Sequence, residues 1–170
     1  MNEERSTPAP ATDEIDYSGR PFDYRDAVNE TAMVCESDPA IRQKISSTLK
    51  SLEFNVIEPT TFKEALKHLN FHTFNLIVVD EEFNIGRDGV NYVLKHLEQL
   101  SMSIRRQIFV VLISATFATM DDMHAYNKSV NLIINKEEIT EMGLILKKEI
   151  EENNYFYHVF SEYFHKYGRV

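Results

Sequence analysis

Five short runs dominated by Val, Ile, Leu and Phe, each followed by a stretch with apolar residues three or four apart, constrain this chain more than any other feature. The runs are Ala32-Met33-Val34-Cys35, Asn55-Val56-Ile57, Leu76-Ile77-Val78-Val79, Ile108-Phe109-Val110-Val111-Leu112-Ile113 and Val130-Asn131-Leu132-Ile133-Ile134. Near-continuous apolar runs suit strands buried on both faces. Strands that alternate with helices demand parallel pairing through right-handed crossovers. The predicted architecture is therefore α/β, a doubly wound five-stranded parallel sheet with helices on both faces.

The helical segments carry their own signals. Asp38 followed by Pro39 reads as an N-cap with proline at the first helical position, ahead of the stripe Ile41, Ile45, Leu49 and Leu52. Thr61 and Glu64 have capping-box spacing before Phe62, Ala65, Leu66 and Leu69. Val90, Val93, Leu94 and Leu97 mark a third helix, Met120, Met123 and Tyr126 a fourth, and Thr140 is positioned to cap a fifth that bears Met142, Ile145, Leu146 and Ile150. Phe156, Val159, Phe160, Tyr163, Phe164 and Tyr167 then fall at helical spacing, with Gly168 as a stop signal. The expected organisation is an N-terminal arm at 1–30, a domain at 31–152 and a C-terminal helical extension at 153–170. The first 16 residues or so have the composition of a disordered tail. Tyr17, Phe22 and Tyr24 follow among Gly19 and Pro21, and fit either a docked extended arm or a loose leader.

With 170 residues, 43% of them hydrophobic, the chain matches one domain with a substantial core. The net charge of −9 and the scattered basic residues offer no footprint for nucleic acid or an anionic membrane. No apolar stretch approaches the roughly 20 residues that span a bilayer, and the polar start lacks a signal-peptide core, so the cytoplasm is the expected location. The single cysteine, Cys35, falls within a strand run and is expected to be a packed thiol. His68 and His72 are four apart but lack acidic or cysteine partners for zinc, which favours a surface face.

Glu36, Asp80, Ser114 and Lys136 each close one of the strand runs. In a parallel sheet such residues converge at the carboxyl edge, where ligands and chemistry gather. The turn after the first strand reads Glu36-Ser37-Asp38-Pro39, without the glycines that dinucleotide binding needs.

From Ala32 to Ile150 the chain resembles the receiver domain of two-component response regulators, with its flavodoxin-like topology. Glu36-Ser37-Asp38-Pro39 with Arg42 resembles the acidic pair, proline and arginine after the first strand. Asp80 is similar to the phosphate-accepting aspartate, and Asp88-Gly89 to the pair opening the third helix, one residue late. Ser114-Ala115 resembles the switch hydroxyl with its small neighbour, and Lys136 the lysine ending the fifth strand. The chain is also similar to a set of bacterial stand-alone receiver-like proteins, some of which carry a zinc ribbon in front, though it has no Cys-x-x-Cys. The resemblance implies a phosphoacceptor at Asp80, a weak Mg2+ site using Glu36 and Asp80, and phosphate contacts from Ser114 and Lys136. It also implies a protein partner such as a histidine kinase or a downstream regulator.

Departures cluster at the site. The second acid of the pair is Ser37, and Glu82 is the candidate to replace its charge on Mg2+. Glu137 stands where receivers have a cis proline, and Ile133 where they have a switch aromatic. The leading expectation is a signalling module, not an enzyme, without an output domain, acting through protein contacts with phosphorylation at Asp80 impaired or lost. The alternatives are a working single-domain response regulator and a flavodoxin-like cofactor-binding protein. Phe156, Phe160, Tyr163, Phe164 and Tyr167 form the candidate interaction surface. They serve to pack back on the domain, to form a homodimer or to fill a partner groove.

Overall fold

A computed structural model of the protein describes residues 30–167, apart from the side chains of residues 159–165 and 167. The arm over residues 1–29, Gly168 and the rings of Phe160, Tyr163, Phe164 and Tyr167 lie outside the described residues.

Strands β1 (Thr31–Cys35), β2 (Asn55–Ile57), β3 (Leu76–Asp80), β4 (Phe109–Ser114) and β5 (Leu132–Asn135) form one parallel sheet in the order β2-β1-β3-β4-β5. The helices are α1 (Pro39–Ser51), α2 (Phe62–Phe71), α3 (Tyr92–Glu98), the single turn α4 (Met102–Arg105), α5 (Asp122–Asn127) and α6 (Met142–Tyr167). The period-2 pleat divides each strand between two cores. Met33, Cys35, Ile77 and Val79 face Ala65 of α2, Val93 and Leu97 of α3 and Ala125 of α5. Ala32, Val34, Leu76 and Val78 face Ile45 and Leu49 of α1 and Met142 and Leu146 of α6. Each fully buried aliphatic side chain contributes about 1.5–3 kcal/mol, so burial on both faces explains why the central strands are apolar throughout.

The chain leaves β1 for β2 on one side, then crosses back to β3 on the other. A crevice opens at this reversal, between the carboxyl ends of β1 and β3, and it is there that Glu36 and Asp80 lie.

Local capping largely follows the sequence. Asp38 accepts from the amides of Ala40 (2.7 Å) and Ile41 (3.1 Å), with Pro39 opening α1. Thr61 accepts from the Glu64 amide at 3.2 Å, while the Glu64 carboxylate reaches back to the Thr60 amide at 2.8 Å, one residue earlier than a standard box.

Four expectations need correction. In α5 the buried residue is Ala125, while Met120, Met123 and Tyr126 are exposed. Met120 has a left-handed φ of 62° and precedes the helix, and the small Ala125 lets α5 approach the sheet closely. Thr140 caps nothing, because Lys136–Glu141 forms a 3-10 turn that runs directly into α6. Asp88-Gly89 does not open α3. The pair sits in the preceding loop, with Gly89 at φ 74°, and Asn91 caps the helix through the amides of Val93 and Leu94. Finally, α6 is one unbroken helix of 26 residues through the expected boundary at 152. Tyr155 and Phe156 on it are exposed, so packing back on the domain does not extend to them.

Candidate functional site

The carboxyl edge of the sheet brings together all four strand-end residues. Glu36, Asp80 and Ser114 are buried there, and Lys136 is about a quarter exposed. Parallel pairing delivers them, because the Asp80↔Ile113 and Ser114↔Asn135 registers align the strand ends.

Lys136 Nζ donates to Asp80 Oδ2 at 2.8 Å, across 56 residues of sequence. Burial pulls the Lys136 ammonium down, but the hydrogen bond and charge of Asp80, with Glu36 and Glu82 beyond, outweigh it and hold its pKa above the ordinary value. Glu36 is pushed upward chiefly by burial. The Asp38 amide, donating to Glu36 Oε1 at 2.9 Å, works against that push, and the neighbouring Asp80 carboxylate adds to it. Arg42 fixes the turn, since its Nη1 donates to the Glu36 carbonyl at 3.0 Å.

Glu36 Oε2 is buried without a hydrogen-bond partner. Beside the Asp80 carboxylate it is a ready oxygen donor for a hard cation such as Mg2+. The residues present thus fit Mg2+ through two carboxylates. Ser37 and Glu82 are exposed, and among the described residues no group of three His, Cys, Asp or Glu side chains forms a metal cluster. Glu82 is held near the rim by its amide, which donates to Asp80 Oδ1 at 3.3 Å.

Two residues that sequence reasoning missed shape the pocket. Glu81 accepts the Ser114 hydroxyl on Oε2 at 2.7 Å, and lies 3.7 Å from Lys128 Nζ. Asn91 donates through Nδ2 to the carbonyls of Asp80 (2.9 Å) and Glu81 (3.2 Å), which pins the loop after β3 to the start of α3. The Glu81 amide bonds the Ile113 carbonyl at 2.9 Å, so the β3–β4 ladder runs one residue past Asp80 and sets Glu81 beside Ser114. With that register known, Glu81 is legible from sequence.

The loop after β5 turns sharply. Asn135 Oδ1 accepts from the Glu137 amide at 3.0 Å, and none of the described peptide bonds is cis. Ile133, the departure noted on the fifth strand, is fully buried. Cys35 is a buried free thiol whose pKa is raised by burial, as a packed cysteine should be. The His68 and His72 rings pack together with centroids 5.6 Å apart.

Comparison with known proteins agrees with this geometry. No curated protein sequence matches the chain. Among solved structures, the signal receiver domain of a Luxo repressor protein from Vibrio parahaemolyticus matches with a TM-score of 0.60 at 13% identity, over 77% of this chain and 97% of its own. A response regulator receiver domain protein from Methanospirillum hungatei matches with a TM-score of 0.57 at 17% identity, over 74% and 96%. A response regulator from Thermotoga maritima matches with a TM-score of 0.56 at 21% identity, over 72% and 98%. At these identities the structures establish the fold. The family description "Response regulator receiver domain" matches residues 32–147, the whole span from β1 into α6. The flavodoxin-like cofactor carrier thereby gives way, and the chain belongs to the response regulator receiver domain family.

Proposed function

We propose that this chain is a signalling receiver that works through protein contact, with phosphorylation of Asp80 impaired. The observation that carries the reading is the shortage of negative ligands around Asp80. The second acid position is the neutral, exposed Ser37, and the adjacent Asp38 carboxylate is spent on capping α1. Phosphoryl transfer to a carboxylate needs cationic charge on the phosphoryl oxygens, and Mg2+ held by two carboxylates supplies it weakly.

The partner class that fits is a protein, either a histidine kinase or a downstream regulator. Leu144, Tyr155 and Phe156 are large apolar groups exposed on α6. Leu144 and Tyr155 are three turns apart and share a face, which suits a second copy of the helix or a partner groove. The cytoplasm matches such a module, and among the described residues no helix is long and apolar enough to cross a membrane.

The second reading, a working response regulator, is favoured by the intact Lys136–Asp80 contact. In that case an Asp80 oxygen forms a bond to phosphorus as the donor's own bond to phosphorus breaks, and the leaving atom, an imidazole nitrogen of a histidine kinase or a carboxylate oxygen of acetyl phosphate, departs with the electron pair. Intact-mass spectrometry after incubation with acetyl phosphate and Mg2+ separates the two, with Asp80→Asn as control. We expect little or no adduct under conditions that fully modify an ordinary receiver. A stoichiometric adduct that vanishes in Asp80→Asn would establish the working regulator instead.

A further inference from the structure

The hydroxyl of Ser114 has one proton, and it is committed. It donates to Glu81 Oε2 at 2.7 Å, while Ser114 Oγ accepts from the amides of Thr116 (3.1 Å) and Phe117 (3.2 Å) and lies 3.1 Å from Thr116 Oγ1, which can donate to it. A hydroxyl with a single donor cannot serve Glu81 and a phosphoryl oxygen on Asp80 at the same time. In a working receiver the switch hydroxyl moves to the phosphoryl group and carries its loop along. In this chain a carboxylate from the neighbouring residue already holds it.

The same carboxylate reaches further. Thr116 Oγ1 lies 3.5 Å from Glu81 Oε2, and Lys128 Nζ lies 3.7 Å from Oε1. Lys128 in turn sits 5.7 Å from the centre of the Phe117 ring, which stacks on His124 of α5 at 4.3 Å. The remainder of the loop is tied to β5: Asn135 Nδ2 donates to the Phe117 carbonyl at 2.8 Å, the Asn135 amide to Thr119 Oγ1 at 2.9 Å, and the Met120 amide to the Ile133 carbonyl at 2.9 Å. Glu81 is thus the anionic centre on which Ser114, Thr116 and Lys128 converge from three positions in the chain.

We infer that Glu81 is a positioning residue that stands in for the phosphoryl group, holding Ser114 and the β4–α5 loop in one conformation without modification of Asp80. The inference rests on the reading that this receiver signals with phosphorylation impaired, and it gives that reading a mechanism. The contacting surface is preset by a resident carboxylate. A dianionic phosphoryl group on Asp80 would meet this charge and would have to take the hydroxyl from it.

Hydrogen exchange of the full chain, followed by mass spectrometry over residues 115–121, tests the inference in Glu81→Gln, Glu81→Ala, Ser114→Ala and the Glu81→Ala/Ser114→Ala double variant. Loss of a charge-assisted bond should speed loop exchange by about tenfold in each alanine variant, with β1 and β3 amides unchanged. The effects should be less than additive in the double variant, because the Ser114–Glu81 bond is lost in both single variants, although Ser114→Ala also frees the Thr116 and Phe117 amides and Glu81→Ala also releases Thr116 and Lys128. Glu81→Gln keeps an acceptor for the hydroxyl but loses the charge, so its loop should exchange at a rate between those of the parent and Glu81→Ala. Parent-like exchange in Glu81→Ala or in Glu81→Gln, or fully additive effects in the double variant, would each overturn the proposal. Glu81→Met removes the same carboxylate while keeping the side-chain bulk if Glu81→Ala does not fold. A stoichiometric phosphoryl adduct on the parent protein would overturn impaired phosphorylation. The exchange rates of the unmodified protein would still decide the role of Glu81.

Discussion

Lys136 and Asp80 meet at 2.8 Å, with the Asp80 side chain 4% exposed and that of Lys136 23% exposed. An ion pair this enclosed is worth less than its Coulomb energy, but breaking it on one side is costly because the other charge stays buried. Lys136→Met should therefore destabilise the fold by about 1–3 kcal/mol at pH 7, and by less near pH 4, where Glu36, whose pKa burial raises, is protonated and no longer repels Asp80. Urea unfolding at the two pH values measures this. Equal midpoints for variant and parent would mean that the pair contributes nothing.

Glu36 gives a stability slope of predictable sign. Its native pKa is raised, mainly by burial, so the native state holds the proton more tightly than the unfolded chain. Stability then falls as pH rises from the ordinary glutamate range through the native pKa. Glu36→Gln stays neutral and should escape this fall, so its advantage over the parent grows with pH in denaturant titrations. Saturating Mg2+ should flatten the slope of the parent, because a cation favours the carboxylate.

At Ser37 a single substitution should restore what the pocket lacks. Ser37→Asp adds a carboxylate next to Glu36 and is expected to tighten Mg2+ by about tenfold, equivalent to about 1.4 kcal/mol. Glu82→Gln should weaken Mg2+ if Glu82 supplies the substitute charge. Calorimetric titration of both variants checks this, and an unchanged affinity in Glu82→Gln would remove Glu82 from the metal site.

The exposed rings of α6 make a separate prediction. Tyr155→Ser with Phe156→Ser should lower the mass seen by light scattering at high concentration, while unfolding midpoints move by no more than about 0.5 kcal/mol, as expected for surface positions. An unchanged mass would exclude these two rings as the homodimer contact.

At the root of the same helix, Leu146 is fully buried against the α1 face of the sheet. Leu146→Ala should cost about 2–5 kcal/mol in thermal or denaturant unfolding. A cost below this range would show that α6 is only loosely seated.

The strands were legible because double-sided burial leaves long apolar runs, and the strand ends followed from them. Asp80, Ser114 and Lys136 could be placed together without coordinates, since a parallel sheet sends every carboxyl end to one edge. Glu82, two residues after Asp80, was chosen over Glu81 for its place on the loop bordering the pocket. The ladder bond from the Glu81 amide to Ile113 is a matter of register, which one strand's sequence does not carry. The fourth helix misled for a different reason. Met123 and Tyr126 mimic an inward stripe at helical spacing, yet a six-residue helix seated by Ala125 turns them outward. The unbroken α6 was hidden by its change of character, from aliphatic Met142 and Leu146 to aromatic Tyr155 and Phe156, which reads as a boundary although the backbone continues.

That continuity gives α6 the proportions of a lever. Its 26 residues extend about 39 Å, while the six residues of β4 span only about 20 Å, so the helix is about twice as long as the strand. Its fulcrum is Met142, fully buried and joined to Lys136 by nothing longer than the 3-10 turn Lys136–Glu141. The lysine that clasps Asp80 therefore sits at the short end of the lever. Any tilt of α6 about Met142 would displace its far end much more than its root.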